Sequence, residues 1–135
     1  IFGKGRVTNG KSLPMKYNPQ FTKGDPYKQF SGRSSENWKG KPLRKVLTDN
    51  DGFRYPKTIQ KFVRDRGLHP TQKPLTLAEY LVNTYSDPGD VVLDNCMGSG
   101  TTGVAAIKNN REFIGIEINK KYFDIAVRRI HDTLS

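Results

Sequence analysis

A glycine-rich turn is the feature of this sequence with the clearest capacity for chemistry. The apolar run Val91–Leu93 is followed by Asp94, and Gly98 and Gly100 then lead into a helical pattern that starts at Thr101. Glycine lets the backbone turn tightly and approach a ligand, and the N–H groups at the start of the next helix are free to bind one. The pattern therefore predicts a small-molecule site, although such a turn is also ordinary punctuation in α/β proteins.

Acidic residues around the turn narrow the choice of ligand. The turn holds no Lys, so it does not match the P-loop that binds phosphates. Asp94 precedes the glycines and would repel a pyrophosphate, whereas a carboxylate suits an amino acid's ammonium or a sulfonium. Glu117 follows a second apolar run, where an acid is expected to bind ribose hydroxyls. These two acids predict a nucleoside that carries an amino acid, and S-adenosylmethionine fits that description.

Regular elements are predicted in the second half of the chain, where they would position these acids. The pattern predicts helices over 75–86, 101–109 and 121–134 and strands over 91–93 and 113–118. We expect Thr76 to cap the first helix, and the first strand to be buried because it is apolar on both faces. A strand, a helix and a strand at this spacing form a βαβ unit with parallel strands. The predicted fold class is therefore α/β and partly Rossmann-like.

The positive charge of the chain lies in its first half. Residues 1–74 contain 17 Lys and Arg against 5 Asp and Glu, a net charge of +12, and residues 75–135 contain 6 against 8, a net charge of −2. The glycines and prolines of this half favour disorder, but its many scattered aromatics favour an irregular, loop-rich segment that is ordered only against a partner, and we predict the latter. A basic segment with aromatics suits nucleic acid, although part of its charge is expected to serve solubility.

Composition excludes several other classes of protein. No run of about 18 apolar residues exists, so we expect no membrane-spanning segment. Cys96 is the only cysteine, which excludes a disulfide framework and favours a reducing cytoplasm. No Cys/His cluster has the spacing of a zinc site, so we predict no metal.

Three segments of the second half resemble motifs of a known enzyme family. Residues 69–74, 94–102 and 113–119 are similar to motifs X, I and II of the amino-methylating DNA methyltransferases. Their order resembles the circularly permuted beta class, of phage or restriction-modification type, in which target recognition precedes the cofactor motifs. The resemblance implies S-adenosylmethionine as cofactor, double-stranded DNA as partner, and methylation of adenine N6 or cytosine N4. It also implies a DNA-facing recognition segment over 1–66, the cofactor-binding part of a methyltransferase fold over 67–135, and a bacterial or phage cytoplasm.

The resemblance assigns roles to individual residues. Asp94 would accept a hydrogen bond from the methionine ammonium, Glu117 would bind the ribose, and Lys73 with Thr71 would meet the methionine carboxylate. The residues assigned to the cofactor are Thr71, Lys73, Asp94, Met97, Gly98, Ser99, Gly100, Thr101, Glu117 and Asn119. The residues expected to contact DNA are Arg33, Lys39, Lys41, Arg44, Lys45, Arg64 and Arg66.

The catalytic motif of the family is absent from this sequence. That motif is Asp/Asn/Ser-Pro-Pro followed by an aromatic residue, and it holds the target amino group and stacks on the flipped base. Asp25-Pro26-Tyr27 lacks the second proline, so we interpret it as part of the recognition region. In the permuted order the motif would lie before Ile1. We therefore predict that this chain holds no catalytic residue, is a portion of a longer enzyme, and is inactive alone.

Two other functions remain open at this point. A non-catalytic nucleic-acid-binding module would explain the basic half but would leave Asp94 and Glu117 without a role. A nucleotide-dependent oxidoreductase would fit the βαβ unit, but the position of Asp94 argues against it.

Overall fold

The fold is described from a computed structural model, over residues 16–31, 46–65 and 72–135. Its contacts divide the chain into two units, one of residues 21–58 and the other of residues 1–20 together with 59–135. The two units do not meet at residues 66/67, so the boundary expected there from the sequence stays a prediction about function.

The described residues of the unit 21–58 form two pairs of short antiparallel strands. The strands are β1 (Thr22–Lys23), β2 (Tyr27–Ser31), β3 (Val46–Asn50) and β4 (Phe53–Arg54). Strand β1 pairs with β4, and β2 pairs with β3. Gly52 adopts a φ of +103° between β3 and β4, where a Cβ would lie 2.4 Å from the Gly24 carbonyl oxygen. The strand pairs therefore depend on a backbone conformation that glycine supplies.

Aromatic and charged side chains on and beside these strands contact one another. The ring of Phe21 lies 4.8 Å from that of Tyr55, and the Arg54 guanidinium lies 4.6 Å above the ring of Tyr27. The sequence pattern did not predict the strands, because exposed aromatics and prolines hide the two-residue alternation that marks a half-buried strand.

The larger unit contains the predicted βαβ arrangement. Where the structure describes this unit, its elements are α1 (Leu75–Tyr85), β5 (Val91–Asp94), α2 (Thr101–Lys108), β6 (Glu112–Gly115) and α3 (Lys120–Leu134). Strands β5 and β6 are parallel, with Val91 opposite Glu112 and Asp94 opposite Gly115. The α/β fold and the parallel pairing are thus confirmed, and both strands end at the same edge, where the candidate acids follow.

Helix α2 is the centre of the packing in this unit. Ala105 packs with Ala78 and Val82 of α1 in one cluster, and Ala126 of α3 is fully buried. A Cβ at Gly100 would lie 2.8 Å from the Cβ of Ala126. Small residues therefore let α3 approach the start of α2 closely, which fixes the glycine turn against α3.

Two details differ from the sequence-based expectations. The first strand is not buried on both faces, since Val91 is 55% and Leu93 63% exposed. Val92, on the other face, packs against the buried cluster formed by α1 and α2. Thr76 does not cap α1: the N-cap is Pro74, without a side-chain cap, and the Leu75 N–H instead donates to Asp65 Oδ2 at 2.8 Å. A carboxylate ten residues earlier thus takes the capping role.

Residues 16–20 fasten the end of α1 to the turn that follows it. Asn18 donates its backbone N–H to the Thr84 carbonyl at 2.7 Å and its side-chain amide to Asp87 Oδ1 at 2.9 Å. Lys16 forms ion pairs with Asp87 and Asp90.

Within the described ranges, no helix is both long enough and apolar enough to span a membrane.

Candidate functional site

The glycine turn between β5 and α2 adopts a backbone shape that requires glycine. Gly98 and Gly100 have φ angles of +54° and +78°, in the left-handed region that side chains other than glycine rarely enter. Gly100 is the N-cap of α2, and no side chain of the described residues caps that helix. The first N–H groups of α2, at the end of β5, therefore have no intrahelical partner.

Glu117 connects this turn to the end of β6. Its Oε2 accepts the Gly98 N–H at 2.9 Å, and its Oε1 accepts the Asn119 N–H at 2.9 Å. The Met97 N–H donates to the Ile116 carbonyl at 3.0 Å. The predicted ribose-binding acid thus lies directly beside the glycine turn. Each of its oxygens accepts one backbone N–H and retains capacity to accept a further hydrogen bond.

Asp94 lies at the end of β5, where the sequence predicts it. Its Oδ1 accepts the Cys96 N–H at 3.1 Å, and among the described residues its Oδ2 has no hydrogen-bond partner. The side chain is partly exposed. One carboxylate oxygen is therefore used to shape the turn, and the other is available for a cationic ligand.

A cavity of about 670 Å³ lies on the α1 side of β5. Asp94 and the exposed Lys73 belong to its polar lining, and the α1 side chains Leu77, Leu81 and Tyr85 to its apolar lining. Glu117 and the turn glycines are not part of the lining. Asp94 therefore lies both in the cavity lining and at the start of the glycine turn, and Lys73 lies in the cavity lining.

Three predicted cofactor residues have side chains that are buried rather than exposed. Met97 is 7%, Ser99 3% and Thr101 7% exposed. A Cβ at Gly115 would lie 2.2 Å from the Met97 sulfur, so the Met97 side chain packs against the end of β6. These three side chains therefore pack inside the protein and support the turn.

Arg129 of α3 contacts the turn from behind and was missed by the sequence analysis. Its Nη1 donates to the carbonyl oxygen of Ser99, to Ser99 Oγ at 3.2 Å and to Thr101 Oγ1 at 3.4 Å. Burial lowers the pKa of the Arg129 guanidinium, and the nearby charge of Asp65 partly offsets this effect. No local signal reveals this contact, because Arg129 lies in an ordinary amphipathic helix far from Ser99 in the sequence.

Asn119 also has a structural role that the sequence analysis missed. Its Oδ1 accepts the N–H groups of Lys121 at 3.0 Å and Tyr122 at 3.4 Å, which makes it the N-cap of α3. Asn in this position was recognisable as a capping residue, since Asn is among the preferred N-caps.

The remaining predicted residues are distributed as follows. Arg64 is described and exposed. Thr71 and the other DNA-contact candidates lie outside the described residues, namely Arg33, Lys39, Lys41, Arg44, Lys45 and Arg66. Asp25-Pro26-Tyr27 lies between β1 and β2, with Tyr27 as the first residue of β2. The structure thus brings Asp94, Glu117 and the residues 97–101 together, with Lys73 and Asn119 at the margins.

Comparison with known proteins finds relatives along almost the whole chain. A family profile described as DNA methylase, N6_N4_Mtase, matches residues 2–128. The orphan methyltransferase M.BamHII of Bacillus amyloliquefaciens is 35% identical over 137 residues, covering 96% of this chain and 51% of that protein. The DNA adenine methyltransferase YhdJ of Escherichia coli (strain K12) is 46% identical over 81 residues, covering 56% of this chain and 28% of that protein.

A solved structure is also similar. The crystal structure of the M1.HpyAVI-SAM complex has 39% sequence identity, covers 62% of this chain and 47% of that chain, and gives a TM-score of 0.47. Because that score is low, the sequence matches and not the superposition support the relationship. The chain spans about half the length of M.BamHII and about a quarter of YhdJ.

Proposed function

Because the chain belongs to the N6/N4 DNA methylase family, we propose that it forms the cofactor-binding part of a site-specific DNA methyltransferase. The enzyme transfers a methyl group from S-adenosylmethionine to N6 of adenine or N4 of cytosine in double-stranded DNA. The family match confirms the resemblance found in the sequence. The permuted order of the beta class stays part of the proposal.

One observation carries this proposal. Asp94 ends β5, Glu117 follows the neighbouring parallel strand β6, and a glycine turn that is hydrogen-bonded to Glu117 follows Asp94. An amino-acid nucleoside presents an ammonium, a carboxylate and a ribose diol, and its sulfonium adds a second positive charge. The carboxylates suit the ammonium and the diol, and the uncapped start of α2 and Lys73 suit the carboxylate. The donor set therefore fits S-adenosylmethionine.

The residues of this chain bind and orient S-adenosylmethionine, and S-adenosylmethionine supplies the activated methyl group. Asp94 Oδ2 receives the ammonium, and Glu117 accepts hydrogen bonds from the ribose while it keeps the Gly98 N–H. The turn backbone encloses the methionine moiety, with Met97, Gly98, Ser99, Gly100 and Thr101 as its residues. Lys73 and Thr71 hold the carboxylate, and Asn119 borders the adenine. Such fixed orientation lets an amino nitrogen attack without a covalent intermediate.

The rest of the enzyme is proposed to lie in a longer protein. The Asp/Asn/Ser-Pro-Pro-aromatic motif does not occur in this chain, so another segment must hold the target base. The basic residues of segment 1–66 contribute contacts to DNA phosphates. This chain alone therefore has no methyl transfer activity.

The experiment measures methyl transfer to duplex DNA by the full-length protein that carries this chain. Digestion of the product to nucleosides distinguishes N6-methyladenine from N4-methylcytosine. Calorimetric titrations with S-adenosylmethionine and with NAD test the cofactor. Binding of NAD without S-adenosylmethionine, or methyl transfer by this chain alone at the full-length rate, would contradict the proposal.

Asp94→Asn is the sharpest variant for the site. It retains an oxygen for the Cys96 N–H and removes the negative charge, so the turn keeps its shape while the ammonium loses its partner. We expect the Kd for S-adenosylmethionine to rise about tenfold or more, as for loss of a charge-assisted hydrogen bond. Asp132→Asn, at an exposed position of α3, is the matched control and leaves the Kd unchanged. Equal Kd values for the two variants would refute the role of Asp94.

A further inference from the structure

We propose that Arg129 is a positioning residue of the cofactor site, holding the Ser99–Gly100 peptide of the glycine turn from the side of α3. The inference rests on the proposed function, because it concerns the turn that would enclose the methionine moiety. Arg129 is not placed in contact with the cofactor. Arg129 acts through the backbone of the turn, and that backbone contacts the cofactor in the proposed function.

The contacts converge on one point of the turn. A single nitrogen, Nη1, reaches the Ser99 carbonyl oxygen, Ser99 Oγ and Thr101 Oγ1. Ser99 is almost fully buried and Arg129 is half-buried, so water competes little for these hydrogen bonds. The adjacent Arg128 is exposed, as a surface residue of an amphipathic helix would be.

The Ser99–Gly100 peptide is held from both of its sides. In a trans peptide the C=O and N–H groups point in opposite directions, and no described peptide bond is cis. Arg129 binds the carbonyl oxygen of Ser99, and the Gly100 N–H donates to the Met97 carbonyl at 2.9 Å. This peptide therefore cannot rotate without breaking hydrogen bonds on both sides.

That orientation determines where the binding groups of the turn lie. Gly100 is the N-cap of α2, so the plane of this peptide sets the direction in which the helix begins and its free N–H groups face. The Gly98 N–H is fixed separately by Glu117. Arg129 and Glu117 thus hold the two halves of the turn, one from α3 and one from the end of β6.

The placement of Arg129 costs solvation, which a purely solubilising arginine would avoid. Burial lowers the pKa of its guanidinium, and Asp65, whose carboxylate also accepts the Leu75 N–H, offsets part of that effect. Asp65 therefore caps the start of α1 and lies near enough to Arg129 for its charge to favour the guanidinium.

The experiment uses the full-length protein and compares Arg129→Ala, Arg129→Lys and the control Arg128→Ala. We expect Arg129→Ala to raise the KM and Kd for S-adenosylmethionine about tenfold, with kcat at saturating cofactor changed less than about twofold. Arg129→Lys keeps the charge but loses the planar fork, so its KM lies between those of wild type and Arg129→Ala. Arg128→Ala keeps the wild-type values.

A merely structural role gives a different result. Partial unfolding lowers the active fraction, so kcat falls while KM stays constant, and that outcome overturns the inference. Added guanidinium ion, at low non-denaturing concentration, restores affinity to Arg129→Ala and not to Asp94→Asn if the lost hydrogen bonds are the cause. If Arg129→Ala is too unstable to assay, the same split between KM and kcat in Arg129→Lys decides.

Amide hydrogen exchange separates failure of this inference from failure of the proposed function. Without cofactor, Arg129→Ala is expected to exchange faster at residues 97–102 than wild type, while Arg128→Ala does not. Unchanged exchange in this segment overturns the inference even if S-adenosylmethionine binds. If exchange is faster in Arg129→Ala but the protein binds no S-adenosylmethionine, the contact between Arg129 and the turn is supported. That outcome nevertheless refutes the proposed function and overturns the role of Arg129 in cofactor positioning.

Discussion

At the scale of single residues, the turn divides its work between side chains and backbone. The acids Asp94 and Glu117 each bind a backbone N–H of the turn and retain acceptor capacity for a ligand. Ser99 and Thr101, which the family resemblance assigns to the cofactor, direct their hydroxyls at Arg129. The residue types at the site were therefore predictable from the sequence, but the direction of each side chain was not, because direction depends on a helix distant in sequence.

Gly100 provides a test of the turn at this scale. Gly100→Ala places a side chain at φ +78° and only 2.8 Å from the Ala126 Cβ, so both strain and a steric clash oppose it. We expect a loss of about 3 kcal/mol or more in the free energy of unfolding, measured by urea denaturation. Gly89→Ala is the matched control: Gly89 has φ +87° but nothing within 4 Å of the added Cβ, so the loss is about 1 kcal/mol. Similar losses for the two variants would show that the contact with Ala126 is unimportant.

At the scale of elements, regular periodicity made the second half predictable. The helices and strands expected from the pattern all occur, with ends that differ by a few residues, and their parallel pairing follows from the crossover rule. The burial of β5 was predicted wrongly, because an apolar strand is buried on both faces only where the sheet has layers on both sides. The strands of 21–58 were missed because their exposed aromatics show no alternation.

The attachment of residues 16–20 to α1 has a definite pH dependence. The ion pair with Lys16 and the Asn18 amide lower the pKa of Asp87, and the Asp87 N–H and Lys16 lower that of Asp90. These carboxylates therefore stabilise the fold above their ordinary pKa of 3.8, and the stabilisation is lost as the pH falls below it. The same pairs raise the pKa of Lys16 above 10.5, so its contribution is lost as the pH rises through that raised value.

Thermal melting as a function of pH tests this attachment. We expect Lys16→Met to lower the Tm at pH 7 and to reduce the further loss of Tm on acidification below pH 4, because part of the acid-sensitive stabilisation is already gone. Lys121→Met removes an equal charge at an exposed position with no ion-pair partner among the described residues. An equal loss of Tm below pH 4 in Lys16→Met and wild type would contradict the stabilising role of the Lys16 ion pairs.

At the scale of the whole molecule, charge separates the proposed tasks. The net charge is +12 in residues 1–74 and −2 in residues 75–135, so we expect the first half to contribute most of the affinity for a polyanion. This asymmetry was readable from the sequence. Individual phosphate contacts were not, because they depend on the shape that a basic surface takes against DNA.

Salt dependence of DNA binding tests this separation in the full-length protein. Replacing Lys39, Lys41 and Lys45 by Gln is expected to reduce the slope of log K against log salt by about 0.9 for each DNA phosphate that the variant no longer neutralises. Replacing Lys108, Lys120 and Lys121 by Gln removes the same charge from the second half and is expected to leave the slope almost unchanged. Equal reductions by both triple variants would mean that total charge, and not its location, governs binding.

The close approach of Gly100 and Ala126 limits how this protein can evolve. Glycine is already the smallest residue, so no replacement at position 100 can make room for a larger side chain at position 126. Ala126→Gly would open space, but the positive φ of Gly100 would still disfavour a side chain there. Neither position can compensate for a change at the other. We therefore expect descendants of this sequence to change at other positions and to retain both residues.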